Sequence, residues 1–284
     1  MYWFTVSVSP MMHLNGSCDK VLSIAFSQTR INVLCDNPQR IFIYDDKSPF
    51  NLETSLSLDW MFVPENMVAS PSSDHLYVCD SGNACIYMIY REGGSYLNSK
   101  WLCDNDVRIR SLSGDGSTIL ATNMYLYKLM LYNTEYASLF HSFNLPVNTY
   151  LELCHIVKIA VKTSTGDFIV SCGSHLDSTG DICKFNKAES MVRCYTPRIT
   201  SEELTHPIHM SLTSDDQVIV ADTWNNRILL LNSDLTWNRV LVTGNNDSGV
   251  IKPVLLSYKT DLKLLAVVNF EGNVTVYNSH ATGL

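Results

Sequence analysis

Residues 217–232 read QVIVADTWNNRILLLN, and residues 75–90 read HLYVCDSGNACIYMIY. Both share one grammar. A short run rich in β-branched and aromatic residues closes on an aspartate, a turn follows, and a second apolar run ends near Asn or Tyr. Four more segments repeat it less strictly: INVLCDNPQRIFIYD (31–45), TILATNMYLYKLMLYN (118–133), DFIVSCGSHLDSTGDICKFN (167–186) and LKLLAVVNFEGNVTVYN (262–278). Taking the residue that closes each first run as the mark gives Asp36, Asp80, Thr122, Cys172, Asp222 and Val268, with steps of 44, 42, 50, 50 and 46 residues. A strand-bearing period of about 46 residues is the size of a propeller blade.

Two further strands flank each pair. SIAFSQ, NMVAS, IRSLSG, IAVKTS, IHMSLTS and VLLSYK precede the pairs and end in turn formers, which suits an innermost strand. SLSLDW, SKWLCD, ASLFHSF, MVRCYT and RVLVTG follow the first five pairs and suit the outer strand. The sixth unit lacks one, and YWFTVSVS (2–9) has strand composition without a partner of its own. The sequence therefore predicts an all-β, six-bladed β-propeller, one domain over 1–284, closed by residues 2–9 joining the last blade. The blades fall near 19–57, 58–103, 104–144, 145–197, 205–243 and 252–278. Closure of this kind removes an exposed sheet edge. Helical periodicity is missing, and only TSEELTH (200–206) looks like a helix start, good for a turn or two.

Composition narrows the functional classes. With 46% hydrophobic and 17% charged residues the chain has a core to bury, and its 20 basic against 28 acidic residues give a net charge of −8. That balance opposes a general phosphate-binding surface. No 18-residue apolar stretch predicts a membrane span. The first residues have no basic n-region and no continuous apolar core, so they make a poor secretory signal. Nine cysteines, an odd number without a C-x-x-C pair, disfavour a zinc site and a full disulfide framework, so the expectation is a reducing, cytoplasmic compartment. Three N-x-[ST] sequons, at Asn15, Asn246 and Asn273, matter only if the chain is secreted.

The stretch QVIVADTWNNRILLLNSDLTW (217–237) resembles the NHL repeat, and HLYVCDSGNACIYMIY is a second good match; the other four units are degenerate. RILLLNSDLTWNRVLVT also looks like the NHL region of animal tripartite-motif proteins. That resemblance implies a binding platform in a ubiquitin-ligase context, without transferase activity, because RING and B-box segments are not found in the sequence.

The turn aspartates Asp36, Asp80 and Asp222 are read as structural, their carboxylates accepting turn N–H groups. Beyond the marks the turns open on the face of the inter-blade connections. Met124, Tyr125, Trp224 and Phe270 are expected to project there, with Arg227 and Lys128 close by, as a rim that docks a protein segment. The expected partner is thus a protein, with no membrane and no cofactor.

Two rivals need stating. RNA binding through Trp224 or Tyr125 stacking with Arg227, Lys128 and Arg40 on phosphates is physically adequate but opposed by the net charge. A metal-dependent propeller hydrolase or lyase needs several acids near the axis, whereas the inner strands offer only Glu65 and Asn66. His206 and His209 fall on opposite faces of a strand and make poor joint ligands. No hydrolase, P-loop or dinucleotide motif occurs, so no catalytic residue and no metal ligand is assigned. Cys35 and Cys79 are read as holding one place in successive units as small packing residues, and Cys172 and Cys183 flank an enlarged turn across which they could face each other in a disulfide.

Overall fold

The structure, a computed structural model, describes residues 12–14, 18–47, 50–70, 73–103, 109–114, 117–123, 128–145, 156–173, 180–195, 197, 199–244 and 251–278. These form 24 strands in six four-stranded antiparallel sheets, the six blades of an all-β propeller. Contacts divide the chain into two compact units of three blades each, residues 16–146 and residues 1–15 with 147–284.

In the first unit, β2 (Val21–Phe26), β3 (Arg30–Cys35), β4 (Arg40–Asp45) and β5 (Leu52–Ser57) form one sheet. β6 (Pro64–Ala69), β7 (Leu76–Asp80), β8 (Cys85–Glu92) and β9 (Ser95–Cys103) form the next. β10 (Ile109–Gly114), β11 (Thr118–Asn123), β12 (Lys128–Asn133) and β13 (Ser138–Asn144) complete the unit. In the second unit, β14 (Ile156–Lys162) to β17 (Met191–Cys194) make the fourth blade, with β15 (Phe168–Gly173) and β16 (Gly180–Phe185) between them. β18 (Pro207–Leu212), β19 (Val218–Asp222), β20 (Arg227–Leu231) and β21 (Trp237–Thr243) make the fifth. The sixth has β22 (Pro253–Lys259), β23 (Leu264–Asn269) and β24 (Val274–Asn278), and its fourth strand is β1 (Met12–Leu14).

An N-terminal strand does complete the last blade, with Met12 opposite Val276 and Leu14 opposite Val274. The expected strand, residues 2–9, lies outside the described residues; the described pairing is that of Met12–Leu14. TSEELTH contributes one short 3-10 turn, Thr200–Glu202.

The middle strands explain the continuous apolar runs. In β19, Val218 and Val220 pack with Ile159, Ile169 and Met210, while Ile219 and Ala221 pack with Leu256, Leu265 and Tyr277. Successive side chains point to opposite faces, so a strand with a neighbouring blade on each side must be apolar at every position. β7 behaves alike, with Leu76 and Val78 on one side and Tyr77 and Cys79 on the other. Cys79 is thus a buried packing residue, as expected, in the place that Ala221 holds in the fifth blade.

Every innermost strand carries the same irregularity. The register shifts after the first paired residue in five of them, at Val21/Ser23, Pro64/Asn66, Ile109/Ser111, Pro207/His209 and Pro253/Leu255, and after the second in β14, at Val157/Ile159. Such a bulge leaves an extra residue out of the ladder and re-aims the strand. In three of the six, the side chain just past the shift reaches the next blade's inner strand. Ser23 Oγ donates to the Met67 carbonyl at 3.0 Å, Asn66 Oδ1 accepts from Leu112 N–H at 3.1 Å, and His209 Nδ1 accepts from Leu256 N–H at 3.2 Å. In each case the second residue after the strand's first pair meets the third residue after the neighbour's.

This register corrects the repeat marks. The residues opposite the inner-strand position just before the shift are Cys35, Asp80, Asn123, Cys172, Asp222 and Asn269. Three of the six marks read from the sequence, Asp36, Thr122 and Val268, are therefore one residue off, and Cys35 is equivalent to Asp80 rather than to Cys79.

Candidate functional site

The aspartates at the end of β7 and β19 set the geometry of the connections. Asp222, fully buried, accepts Thr205 N–H at 2.7 Å, Asn225 Nδ2 at 2.9 Å and Arg227 Nε at 2.6 Å. Asp80, equally buried, accepts Phe62 N–H at 2.9 Å, Val63 N–H at 2.8 Å and Asn83 Nδ2 at 2.7 Å. A carboxylate that takes three donors this way ties the incoming connector to the turn, which is a structural task. Asp36 does not share it. Shifted one residue from the equivalent position, it stays partly exposed and meets Lys20 Nζ at 3.3 Å.

Arg227, expected on the rim, is turned inward. Besides Asp222, its guanidinium donates to the carbonyls of Ser201 and Glu203, and it sits 5.8 Å from the Trp237 ring centroid. It clamps the connector between the fourth and fifth blades. Lys128 opens β12 opposite Asn123 and Asn144, in the unit of residues 16–146. Met124 and Tyr125 lie outside the described residues.

Trp224 and Phe270 do stand out, 44% and 66% exposed. Between them sits a residue that the sequence reading missed. Lys252 Nζ lies 4.8 Å from the Trp224 ring centroid and 5.6 Å from that of Phe270, so one ammonium is held by two aromatic rings. Its backbone is fixed as firmly: Lys252 N–H donates to Asn226 Oδ1 at 2.9 Å, and its carbonyl accepts Phe270 N–H at 2.9 Å. The residue takes a left-handed φ of 48°, as does His206 with φ 62°, and each stands directly before the proline that starts its blade's inner strand. The His206 ring lies 5.8 Å from Trp224. No carboxylate pairs with the Lys252 ammonium among the described residues. The signal that would have found it is positional: the residue before the proline that opens the inner strand of the fifth and of the sixth blade.

The unit of residues 16–146 has a smaller counterpart on the connector into its second blade. Phe62 is 70% exposed and lies over Gly82, where a Cβ would come within 2.3 Å of the ring. Beside it, Trp60 meets Tyr87 edge to face at 4.7 Å and lines an open groove of about 600 Å³ with Asn83, Asn98 and Lys100.

The residues considered for a central cation are engaged otherwise. Asn66 receives Leu112 N–H, and Glu65 Oε1 accepts from Ser81 Oγ at 2.7 Å. Burial pushes the His209 pKa down to about 4, leaving a neutral ring whose Nδ1 is an acceptor. Among the described residues no three His, Cys, Asp or Glu side chains converge.

The cysteines depart most from expectation. Cys18 is bonded to Cys35, Cys85 to Cys103, and Cys183 to Cys194. Cys183 thus pairs across β16 and β17, and not with Cys172, which lies opposite Asp181. The case for a reducing compartment rested on the lack of a disulfide framework, and these bridges remove that ground. Among the described residues no helix is long and apolar enough to cross a membrane.

Six four-stranded antiparallel blades define a six-bladed β-propeller. A solved structure agrees on the propeller architecture: the β-propeller domain of Cps50 (Swd1) from Myceliophteria thermophila is similar with a TM-score of 0.60 over 91% of this chain and 82% of that one, at 10% identity. At that identity the likeness concerns the fold alone. No protein-family model and no curated protein matches the chain.

Proposed function

We propose that the chain is a non-enzymatic interaction scaffold that takes a protein segment on the connector face of its fifth and sixth blades. The observation that carries this reading is Lys252, an ammonium held between the exposed rings of Trp224 and Phe270 with no carboxylate of the described chain against it. Exposed aromatics around a fixed cation offer both apolar area and a charge to a peptide, the usual make-up of a binding hot spot. Propellers commonly serve as such platforms, and function still has to be argued from the site.

The kinship to NHL repeats is part of this proposal. It rests on the Asp-x-x-Asn turns at Asp80 and Asp222, which do the same structural work in two blades. A ubiquitin-ligase context follows from that kinship only if the chain works in the cytosol, and the cysteine bridges weigh against that part.

The test is selection from a displayed peptide library on the immobilised chain, followed by titration of the selected peptides. The double variant Trp224→Ala, Phe270→Ala should bind them at least about tenfold more weakly, since a hot-spot aromatic contributes 2 kcal/mol or more. Unchanged affinity overturns the reading. RNA is the second reading favoured by the same rings: a single-stranded oligonucleotide bound with a steep loss of affinity as salt rises replaces the protein partner.

A further inference from the structure

We propose that this chain matures in an oxidising compartment and that Asn273 carries an N-linked glycan. Two independent observations meet here. The first is the set of bridges Cys18–Cys35, Cys85–Cys103 and Cys183–Cys194, spread over three blades. One fastens the segment entering the first blade to the end of β3. The other two join the third strand of a blade to its outer strand through directly opposed residues. Cytosolic thiol pools keep such pairs reduced, whereas secretory compartments form and preserve them. Each bridge forms by exchange with a protein disulfide of an oxidoreductase: two cysteine thiols lose two protons and two electrons, and the donor leaves as a dithiol.

The second observation is the sequon Asn273-Val274-Thr275 on the turn between β23 and β24. Asn273 is exposed, and its side-chain Nδ2 has only a 3.4 Å contact with Glu271 Oε2. The turn is held without that nitrogen. Asn269 Oδ1 accepts the N–H groups of Glu271 and Asn273, and the Asn273 carbonyl accepts Asn269 N–H. A sugar on Nδ2 therefore leaves every bond of the turn in place. In the transfer, Nδ2 forms a bond to the anomeric carbon of a lipid-diphosphate-linked oligosaccharide. The carbon–oxygen bond to phosphate breaks, the amide gives up one proton, and the lipid diphosphate departs.

Thr275 sets the order of events. It is 1% exposed in β24, between Val267 and His13. An enzyme that must read the threonine needs β24 unpaired, so the sugar is added before the last blade closes. The inference stands apart from the docking reading. It does bear on it, since Phe270 shares the turn and an occupied Asn273 sets a glycan beside the aromatic cluster.

The experiment expresses the whole chain behind a secretory leader in cultured animal cells and maps its peptides under non-reducing conditions. The expected result is three cystine-linked peptide pairs joining the six named cysteines. Glycan-releasing amidase should convert residue 273 to aspartate, a conversion lost in Asn273→Gln and kept in Thr275→Ser. Reduction should lower the melting temperature by roughly 10–20 °C. Free thiols at these six positions in the secreted protein, or no change in melting on reduction, overturns the compartment. An unmodified Asn273 in secreted, bridged protein overturns the glycan; both readouts use the wild-type chain and do not depend on any variant folding.

Discussion

Asp80 and Asp222 hold one station in two blades: each ends the second strand, is fully buried, and binds a connector N–H together with the side-chain amide of the asparagine three residues on. The repeat motif is thus a knot between turn and connector, and the strands on either side of it are free to differ.

Asp222→Ala removes a buried carboxylate that accepts from three part-buried donors and leaves the Arg227 guanidinium without its anionic partner, so unfolding free energy should fall by about 3 kcal/mol. Asp36→Ala breaks only an exposed contact with Lys20 and should change it by less than about 0.5 kcal/mol. Urea denaturation of the two variants measures the difference, and equal losses would refute the assignment.

His209 gives the fold an acid-sensitive joint. Its folded pKa is pushed down to about 4, below the ordinary value of 6.5 that the unfolded chain restores. Between those values the unfolded chain takes up a proton that the folded one refuses, so stability is complete above pH 6.5 and is lost as pH falls toward 4. The effect amounts to at most about 3 kcal/mol. Stability curves at pH 7 and pH 4.5 should diverge less for His209→Gln than for the wild type.

Trp224→Ala and Phe270→Ala remove exposed rings that lie outside the core clusters, so each should shift the melting temperature by no more than about 3 °C. A large drop in thermal scans would mean that these rings hold the blades together and are not kept for a partner.

Cys79 is buried among Ile86, Ala121 and Met130, and burial pushes its thiol up to about 12. Iodoacetamide should leave it unlabelled in the native protein and alkylate it in denaturant, because only the thiolate reacts. Rapid native labelling at Cys79 by mass spectrometry would contradict the packing described.

Six blades could be read from the sequence because β-rich runs and turn residues recur at a blade-sized period, and because Asp80 and Asp222 carry a strong local signature. The station itself could not be read where the side chain is Cys35, Asn123 or Asn269, since register is set by pairing with the inner strand and not by residue type. Trp224 and Phe270 were legible as turn aromatics. Lys252 was not, because it lies 28 residues from Trp224 in the chain and meets it only through the packing of adjacent blades. Arg227 misled for the same reason: its partners Ser201 and Glu203 belong to a connector that no periodicity marks. The cysteine bridges follow cross-strand opposition, which spacing alone does not specify.

The joint between inner strands has a consequence for inheritance. Ser23, Asn66 and His209 all grip the backbone of the neighbouring strand, at Met67, Leu112 and Leu256, and touch none of those side chains through the bond. The gripping residue needs one polar atom at the right reach, and the gripped one needs nothing beyond being there. Both partners can therefore be rewritten in turn without losing the seam.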